Sequence, residues 1–177
     1  MSQLKVNSIV PTGGLPAGAN GGIIQVVNVV KTNTFTSTAS NAFTDIPGLS
    51  VNITPSSNSH KLLVITGIYG AADASSGSTV RMTTASSGSD IKGDSASNRV
   101  LTNGAEAGDN NDPSHDVNPI HQNMLLFSPA TTSTVTVKAQ FRMEGSGTFY
   151  INRSEADTDN SGHVRTVSTI TVMEITV

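Results

Sequence analysis

Residues 134–144 (TVTVKAQFRME) alternate strictly between polar and apolar side chains, and this alternation constrains the fold more than any other feature of the sequence. Side chains at every second position of a strand lie on the same face of a sheet, so the stretch predicts a strand with one buried face. The buried face would carry Val135, Val137, Ala139, Phe141 and Met143. The opposite, polar face would carry Thr134, Thr136, Lys138, Gln140 and Arg142.

Shorter stretches of similar character occur along the rest of the chain. They predict further strands at 23–31, 42–54, 61–70, 78–84, 97–103, 120–128, 148–152 and 166–177. No window of a dozen residues has the apolar spacing of an amphipathic helix, and no repeat of 20–50 residues is visible. Val and Ile number 29 against 8 Leu, which favours strands over helices. The sequence therefore predicts an all-β protein, an antiparallel β-sandwich or jelly roll with an extended N-terminal arm.

Three of these strands carry more specific expectations. The stretch 23–31 is apolar almost throughout, which predicts burial on both faces. The stretch 42–54 is expected to form two short runs around a turn at Pro47-Gly48. The stretch 148–152 is expected to form a hairpin with the preceding strand through the Gly-Ser-Gly turn at 145–147.

The N-terminal region differs in composition from the rest of the chain. Residues 11–22 contain two prolines and five glycines, which predicts a hinge between an arm at 1–22 and a body at 23–177. The arm carries a short apolar pattern that has little to bury on its own, so we expect it to anchor the protein by β-addition to a neighbouring subunit or to a larger particle. The expected anchoring residues are Leu4, Val6, Ile9 and Val10.

Charge and cysteine content exclude several classes of function. The net charge of −3 argues against a basic field that would attract nucleic acid. The absence of cysteine excludes disulfides, thiolate metal sites and cysteine nucleophiles. The N-terminus lacks the apolar core of a signal peptide, and no apolar run approaches the roughly 20 residues of a membrane helix. We expect no cofactor, no nucleic-acid partner and no insertion into a membrane.

Two polar segments are candidates for binding a metal. In 157–168 (DTDNSGHVRTVS), Asp157, Asp159 and Ser161 occupy ligand positions of a calcium loop. The twelfth position, which should be a bidentate glutamate, is Ser168, so a solvated turn is the competing interpretation. The segment 109–116 (DNNDPSHD) has hard oxygen ligands and one imidazole, but the same residue types are common in turns and in surface recognition loops.

The chain carries no recognisable catalytic motif, and we expect that it is not an enzyme. Ser114, His115 and Asp116 are consecutive, so on an extended chain they cannot converge as a triad does. An acid pair for glycoside hydrolysis would have to come from Asp94, Glu106 or Asp109. The sequons at Asn52 and Asn152 are interpreted as chance matches in a chain rich in Asn and Thr. Of Phe149 and Tyr150, one is expected in the core and the other at a sugar-binding rim or a subunit contact.

Several stretches resemble virion structural proteins and tail-fibre segments of bacteriophages, in particular cyanophages. They are LKVNSIVPTGGLPAGANGGIIQVV, ITPSSNSHKLLV, GTFYINRS and RTVSTITVMEITV, and the middle of the chain, about 85–119, has no counterpart. The resemblance implies a jelly-roll body, a homotrimer and a location on the exterior of the virion, and it brings no catalytic residues. The absence of cysteine suits a particle that must survive oxidation outside the cell.

The resemblance and the residues together predict a short tail-fibre or tip protein that contacts a host glycan or envelope. The alternative is a capsid decoration (cement) protein that stabilises the shell, and a glycan-degrading spike is a third, weaker hypothesis because the β-helix repeats of such spikes are absent. Recognition is expected in the polar loops of 85–119, because loops held by a rigid sandwich are where binding residues concentrate. The expected recognition residues are Asp94, Asn103, Glu106, Asp109, Asn110, Asp112 and His115.

Overall fold

The computed structural model describes residues 22–38, 41–72, 77–84, 92–94, 97–104, 106–107 and 115–176. These residues form ten strands: β1 (Ile23–Lys31), β2 (Phe35–Ser37), β3 (Thr44–Ile53), β4 (Lys61–Ala72), β5 (Ser78–Thr84), β6 (Glu106–Ala107), β7 (Asn118–Phe127), β8 (Val135–Met143), β9 (Phe149–Ile151) and β10 (Ser168–Ile175). Within these ranges no helix is long and apolar enough to cross a membrane. The predicted anchoring residues of the arm (Leu4, Val6, Ile9 and Val10) lie outside the described residues.

The strands form two antiparallel sheets. In sheet A, β4 lies between β10 and β7, and β1 pairs with the far side of β10. The short strands β9 and β2 continue this sheet where β10 and β1 end, because β9 pairs with the last residues of β4. Sheet B has the order β3-β8-β5-β6. The structure thus confirms the all-β class and the antiparallel sandwich, and the strand order is compatible with the predicted jelly-roll type.

The core lies between the two sheets and is built from the inward face of each strand. All five predicted apolar positions of β8 are buried, as the alternation requires. Phe141 of β8 stacks on Phe149 of β9 with ring centroids 4.7 Å apart, and Phe35 of β2 contacts Phe141 edge-on at 5.9 Å. These three rings join sheet B to the short strands of sheet A, which fixes one end of the sandwich.

Several strand predictions are confirmed. The bounds of β1 and β5 coincide with the predicted stretches, and those of β7 and β10 lie within one to two residues of them. β4 is central in its sheet, and a turn at 55–60 separates it from β3. The short strand β2 was not predicted, because three residues are too few to show a period.

Other expectations are wrong. β1 is an edge strand with one exposed face, so 23–31 is not buried on both faces. The stretch 42–54 forms one strand with a β-bulge, which Gly48 accommodates at a φ of 80°. The stretch 97–103 forms no strand. β9 does not form a hairpin with β8: the chain crosses to sheet A, where β9 pairs with β2 and β4.

Asn152 directly follows β9, and its side chain stabilises the connection between β1 and β2. Its side-chain amide nitrogen donates to the carbonyl oxygens of Lys31 (2.8 Å) and Asn33 (3.1 Å), and its Oδ1 accepts from the Ser168 hydroxyl at 2.6 Å. Asn152 is fully buried and has a φ of 61°, a conformation that Asn tolerates better than most residues. Its burial agrees with the interpretation of this sequon as a chance match.

Candidate functional site

The segment 97–104, which belongs to the predicted recognition region, is fastened to the edge of β5 beyond the two residues that pair with β6. The Met82 amide donates to Oδ1 of Asn103 at 2.8 Å, and Nδ2 of Asn103 donates to the Met82 carbonyl at 2.7 Å. The Thr102 hydroxyl donates to the Val80 carbonyl at 3.1 Å. The Asn103 side chain therefore supplies the pair of hydrogen bonds that a neighbouring strand would otherwise give to β5.

Asn103 also ties this segment to a buried histidine on β7. The His121 ring is 2% exposed; its Nδ1 lies 2.8 Å from the Thr66 hydroxyl and its Nε2 lies 3.2 Å from Oδ1 of Asn103. The network assigns the proton to Nε2, since Asn103 presents an acceptor there and Thr66 can donate to Nδ1. Burial lowers the pKa of His121 to about 4, because the charged imidazolium would lose its hydration. The ring is neutral at physiological pH, and its hydrogen bonds with Thr66 and Asn103 link β7 to β4 and to segment 97–104.

A cleft of about 400 Å³ opens beside this bridge. It is lined by Asn103, Gly104, Pro119, Ile120, His121, Gln122 and Asn123. Gly104 lies so close to its neighbours that a Cβ there would stand 2.2 Å from the Val80 carbonyl oxygen and 2.5 Å from the His121 ring. The described lining residues are neutral, and the side-chain amides of Asn103, Gln122 and Asn123 give the wall hydrogen-bonding groups but no charge to anchor an ion.

A second cleft of about 400 Å³ lies on the other side of the same segment, over the outer face of β5 and β8. Its lining residues are Thr79, Asn98, Arg99, Val100, Thr102, Arg142 and Glu144. Two guanidinium groups and one carboxylate thus line a concavity of the size that small-ligand sites commonly have. We call this concavity the arginine cleft.

The predicted recognition residues do not all converge on these clefts. Asn103 is half-buried and committed to Met82, Glu106 lies in β6, whose backbone pairs with β5, and Asp94 is exposed. His115 is exposed and stacks on His163 with ring centroids 4.9 Å apart. Asp109, Asn110 and Asp112 lie outside the described residues.

The candidate calcium loop is organised by an ion pair. Arg165 donates to both carboxylate oxygens of Asp157, at 2.6 Å and 2.5 Å, and Arg153 lies 3.6 Å from the same carboxylate. The hydrogen bonds from Arg165 hold the pKa of Asp157 below its usual range. Asp159 and Ser161 are exposed, and no group of three or more His, Cys, Asp or Glu side chains suitable for a metal occurs among the described residues. A cation at Asp157 would have to displace a bidentate guanidinium.

Neither aromatic residue proposed for a rim is exposed. Phe149 is fully buried against Phe141, and Tyr150 is 8% exposed, with the Arg153 guanidinium 5.1 Å from its ring centroid. One of the two is in the core, as predicted. The other is covered by Arg153, so its face is not available as a sugar platform in this conformation.

A buried carboxylate closes the opposite end of the sandwich. Glu174 of β10 accepts hydrogen bonds from the Ser56 amide (2.6 Å), the Ser56 hydroxyl (2.8 Å) and Nδ1 of His60 (2.7 Å), all through Oε1. Burial would raise the pKa of Glu174, yet the hydrogen bonds from His60 and Ser56 outweigh it and hold the pKa below its usual value. This cluster pins the 55–60 turn to the last strand of the chain.

The outer faces of the two sheets have opposite character. On sheet B, Asp45 accepts from Lys138 (2.7 Å) and from Gln140 (2.6 Å), and Arg81 donates to Gln140 while its guanidinium lies over the Phe43 ring. On sheet A, the outward positions of four adjacent strands are apolar over two rows, with Asn28 and Thr171 as the polar members of the second row. The exposed or half-buried apolar residues of this patch are Ile23, Val26, Leu63, Ile65, Met124, Leu126, Met173 and Ile175.

Strand register joins these side chains into one surface, which we call the apolar face. Val26 lies opposite Met173, Met173 opposite Leu63, and Leu63 opposite Leu126, so one apolar row crosses four strands. The next row places Ile65 beside Met124. Met124 is 66% exposed and Val26 55% exposed, and the single charged side chain at the outward positions of these four described strands is that of Lys61.

Sequence reasoning missed the parts of the site that depend on distant contacts. Arg142 was assigned to the polar face of its strand, and that signal was correct, but nothing in the sequence placed Arg99 beside it. The apolar face was hidden because 23–31 was interpreted as doubly buried.

No protein-family model matches the chain, and a search of curated proteins finds no match either.

Proposed function

We propose that the chain is a non-enzymatic structural protein of a bacteriophage virion, a homotrimer on the exterior of the particle. In this proposal the apolar face joins the subunits, the arm at 1–22 fastens them to other virion proteins, and the loops of 92–119 face outward. The observation that carries the proposal is the apolar face itself, since the largest apolar patch on a protein surface often marks a site of contact with another protein.

The composition of the apolar face favours further copies of the same chain as its partner. The face offers almost no charge and few hydrogen-bonding groups, so it is complementary to another apolar surface and not to a polar or ionic one. The outer face of sheet B, which is covered by charged and amide side chains, has the opposite character and is suited to solvent. This division would orient each subunit with sheet A toward its neighbours.

Size adds a second argument for an assembly of several parts. The apolar face crosses four strands and extends over three two-residue steps along each strand, which gives it an area of roughly 300 Å². A stable interface takes about 800 Å² from each partner. The apolar face therefore supplies part of an interface, and the arm supplies a means to extend it. Ile23 of β1, the first strand after the arm, lies within the apolar face, and β1 is an edge strand. An arm from a neighbouring subunit could add to that edge.

The polar loops support surface contact over catalysis. Segment 97–104 is held on β5 by side-chain hydrogen bonds and borders both clefts, which is the arrangement of a loop presented by a rigid scaffold. A tail-fibre or tip protein would use this end of the molecule to meet the host. A capsid decoration protein, the alternative, would use the same sandwich to clamp neighbouring capsomers.

The test is the position of the protein on particles of the phage that encodes it. An antibody raised against the purified chain, with gold label and electron microscopy, should decorate intact particles at the tail. Label spread with the symmetry of the shell would select the decoration alternative within the proposal. Absence of both label and chain from purified particles, with the chain detected only in the lysate, would overturn the proposal.

A further inference from the structure

We propose that the arginine cleft binds an acidic sugar, with the sugar carboxylate held by Arg99 and Arg142 and the ring hydroxyls by Glu144 and the neutral polar lining. This inference deepens the proposed function and rests on it, in that it takes the loops of 92–119 as the recognising end of the molecule. The ligand class follows from the charges, the hydrogen-bonding groups and the shape of the cleft.

The two arginines are available to a ligand. In the part of the chain that the structure describes, no hydrogen bond or ion pair engages the guanidinium of Arg99 or of Arg142. The other cations of this sheet face are already committed: Lys138 donates to Asp45, and Arg81 donates to Gln140. A guanidinium with no protein partner, facing a concavity, presents a planar set of donors that matches a carboxylate.

The negative charge of Glu144 limits which anions the arginine cleft can bind. With two guanidinium groups and one carboxylate, the lining carries a net charge of +1, which complements a single negative charge and disfavours a polyanion such as a nucleic acid. The Glu144 carboxylate has acceptors only, and sugar hydroxyls are donors suited to it. Thr79 and Asn98 add neutral polar groups on two sides of the cleft.

Shape and apolar content complete the assignment. The volume of about 400 Å³ has room for one or two sugar rings. Val100 is 40% exposed and gives a small apolar contact for a ring face, but none of the described residues that line the cleft is aromatic. A neutral sugar would lack both an aromatic platform and a charged anchor, whereas an acidic sugar gains its orientation from the guanidinium pair.

The test is calorimetric titration of the full chain with galacturonate, with its methyl ester, and with lactose 3-sulfate as probes. Galacturonate, which has one ring and one carboxylate, should bind, and the methyl ester, which keeps the hydroxyls and removes the charge, should bind at least tenfold more weakly. Binding of the sulfated probe with equal strength would move the assignment from a carboxylate to a sulfate sugar and overturn it as stated. Equal binding of the acid and its ester would exclude the arginines as the anchor.

Variants locate the binding. Arg99→Gln and Arg142→Gln should each weaken galacturonate binding about tenfold or more, while Lys138→Gln, which removes a committed cation from the same strand face, should change it less than twofold. Unchanged binding by both arginine variants would place the sugar elsewhere and overturn the cleft. Since neither variant touches the apolar face, the oligomer mass is read on the same samples and on the wild type. A wild-type trimer that binds no acidic sugar refutes only the cleft, whereas a monomeric wild type refutes the proposed assembly.

Discussion

His121 shows how a single buried ring makes stability depend on pH. Its pKa is about 4 in the folded protein and about 6.5 when unfolded, so between these values the unfolded chain binds the extra proton and the folded chain does not. The contribution of His121 to stability is complete above pH 6.5. As the pH falls toward 4 this contribution is lost, which lowers the free energy of unfolding by about 3 kcal/mol in total.

The measurement is the free energy of unfolding in urea at a series of pH values from 7.5 to 4. The wild type should lose stability across this window, and His121→Gln should be less stable at pH 7.5 but show a flatter profile. Parallel profiles for the two proteins would mean that His121 does not titrate as assigned.

Glu174 acts in a lower pH range. Its pKa is depressed in the folded protein, so its contribution is present above the unfolded value of 4.5 and is lost as the pH falls through the folded value. Glu174→Gln should lower the free energy of unfolding at pH 7 by about 2 kcal/mol, because charge-assisted bonds from Ser56 and His60 are weakened. The difference from the wild type should shrink at pH 3, and a difference that is independent of pH would show that packing and not charge is responsible.

At the scale of elements, the attachment of segment 97–104 to β5 is predicted to require a glycine at position 104 but not at position 93. Gly104→Ala would drive a methyl group into the Val80 carbonyl and the His121 ring, whereas a Cβ at Gly93 meets its nearest heavy atom, the Thr102 carbonyl oxygen, at 3.7 Å, an ordinary contact. Gly104→Ala should therefore free the segment from β5 and speed hydrogen exchange at the Met82 amide by at least tenfold. Gly93→Ala is the control and should leave that exchange rate within a factor of two.

Strands with a clean period could be predicted from the sequence, and pairings between distant strands could not. The alternation in β8 predicts which of its residues are buried, because successive side chains of a strand point to opposite faces of a sheet and only one face is covered. β9 was placed in a hairpin because the Gly-Ser-Gly turn is local information, whereas its true partners, β2 and β4, lie more than 70 residues away along the chain. Tertiary packing of Phe149 on Phe141 decides between these alternatives.

The site was predictable only in outline, for the same reason. The loops around 97–104 could be singled out by composition, but the arginine cleft needs Arg99 and Arg142, which are 43 positions apart and meet because a coil segment folds over β5 and β8. Glu174 and His60 likewise gave no local signal. β1 was misjudged because an apolar run has the same sequence whether its second face is covered by its own chain or by another copy.

At the scale of the whole molecule, the arm and the apolar face are predicted to have separable roles. A chain that begins at Gly22 should keep its fold and its subunit contacts through the apolar face but should no longer join particles when supplied in place of the full chain. Circular dichroism and the amount of chain in purified particles measure the two properties. Incorporation of the truncated chain at the wild-type level would show that the arm is not the anchor.

The apolar face itself is tested by charge. Met124→Glu and Leu126→Glu, combined in one variant, place two carboxylates on exposed positions of β7, so the fold should survive while the subunits separate. Ser50→Glu is the matched control, since it adds an exposed carboxylate to β3 on the opposite sheet, across from Lys138. A variant that stays assembled, with the control also assembled, would remove the apolar face from the interface.

The most direct test of the central claim is the mass of the intact chain in solution at micromolar concentration, measured by light scattering behind a sizing column. The wild type and Ser50→Glu should each have three times the chain mass of 18.2 kDa, and the Met124→Glu, Leu126→Glu variant should have one chain mass. A wild-type mass of one or two chains would show that the protein is not a trimer.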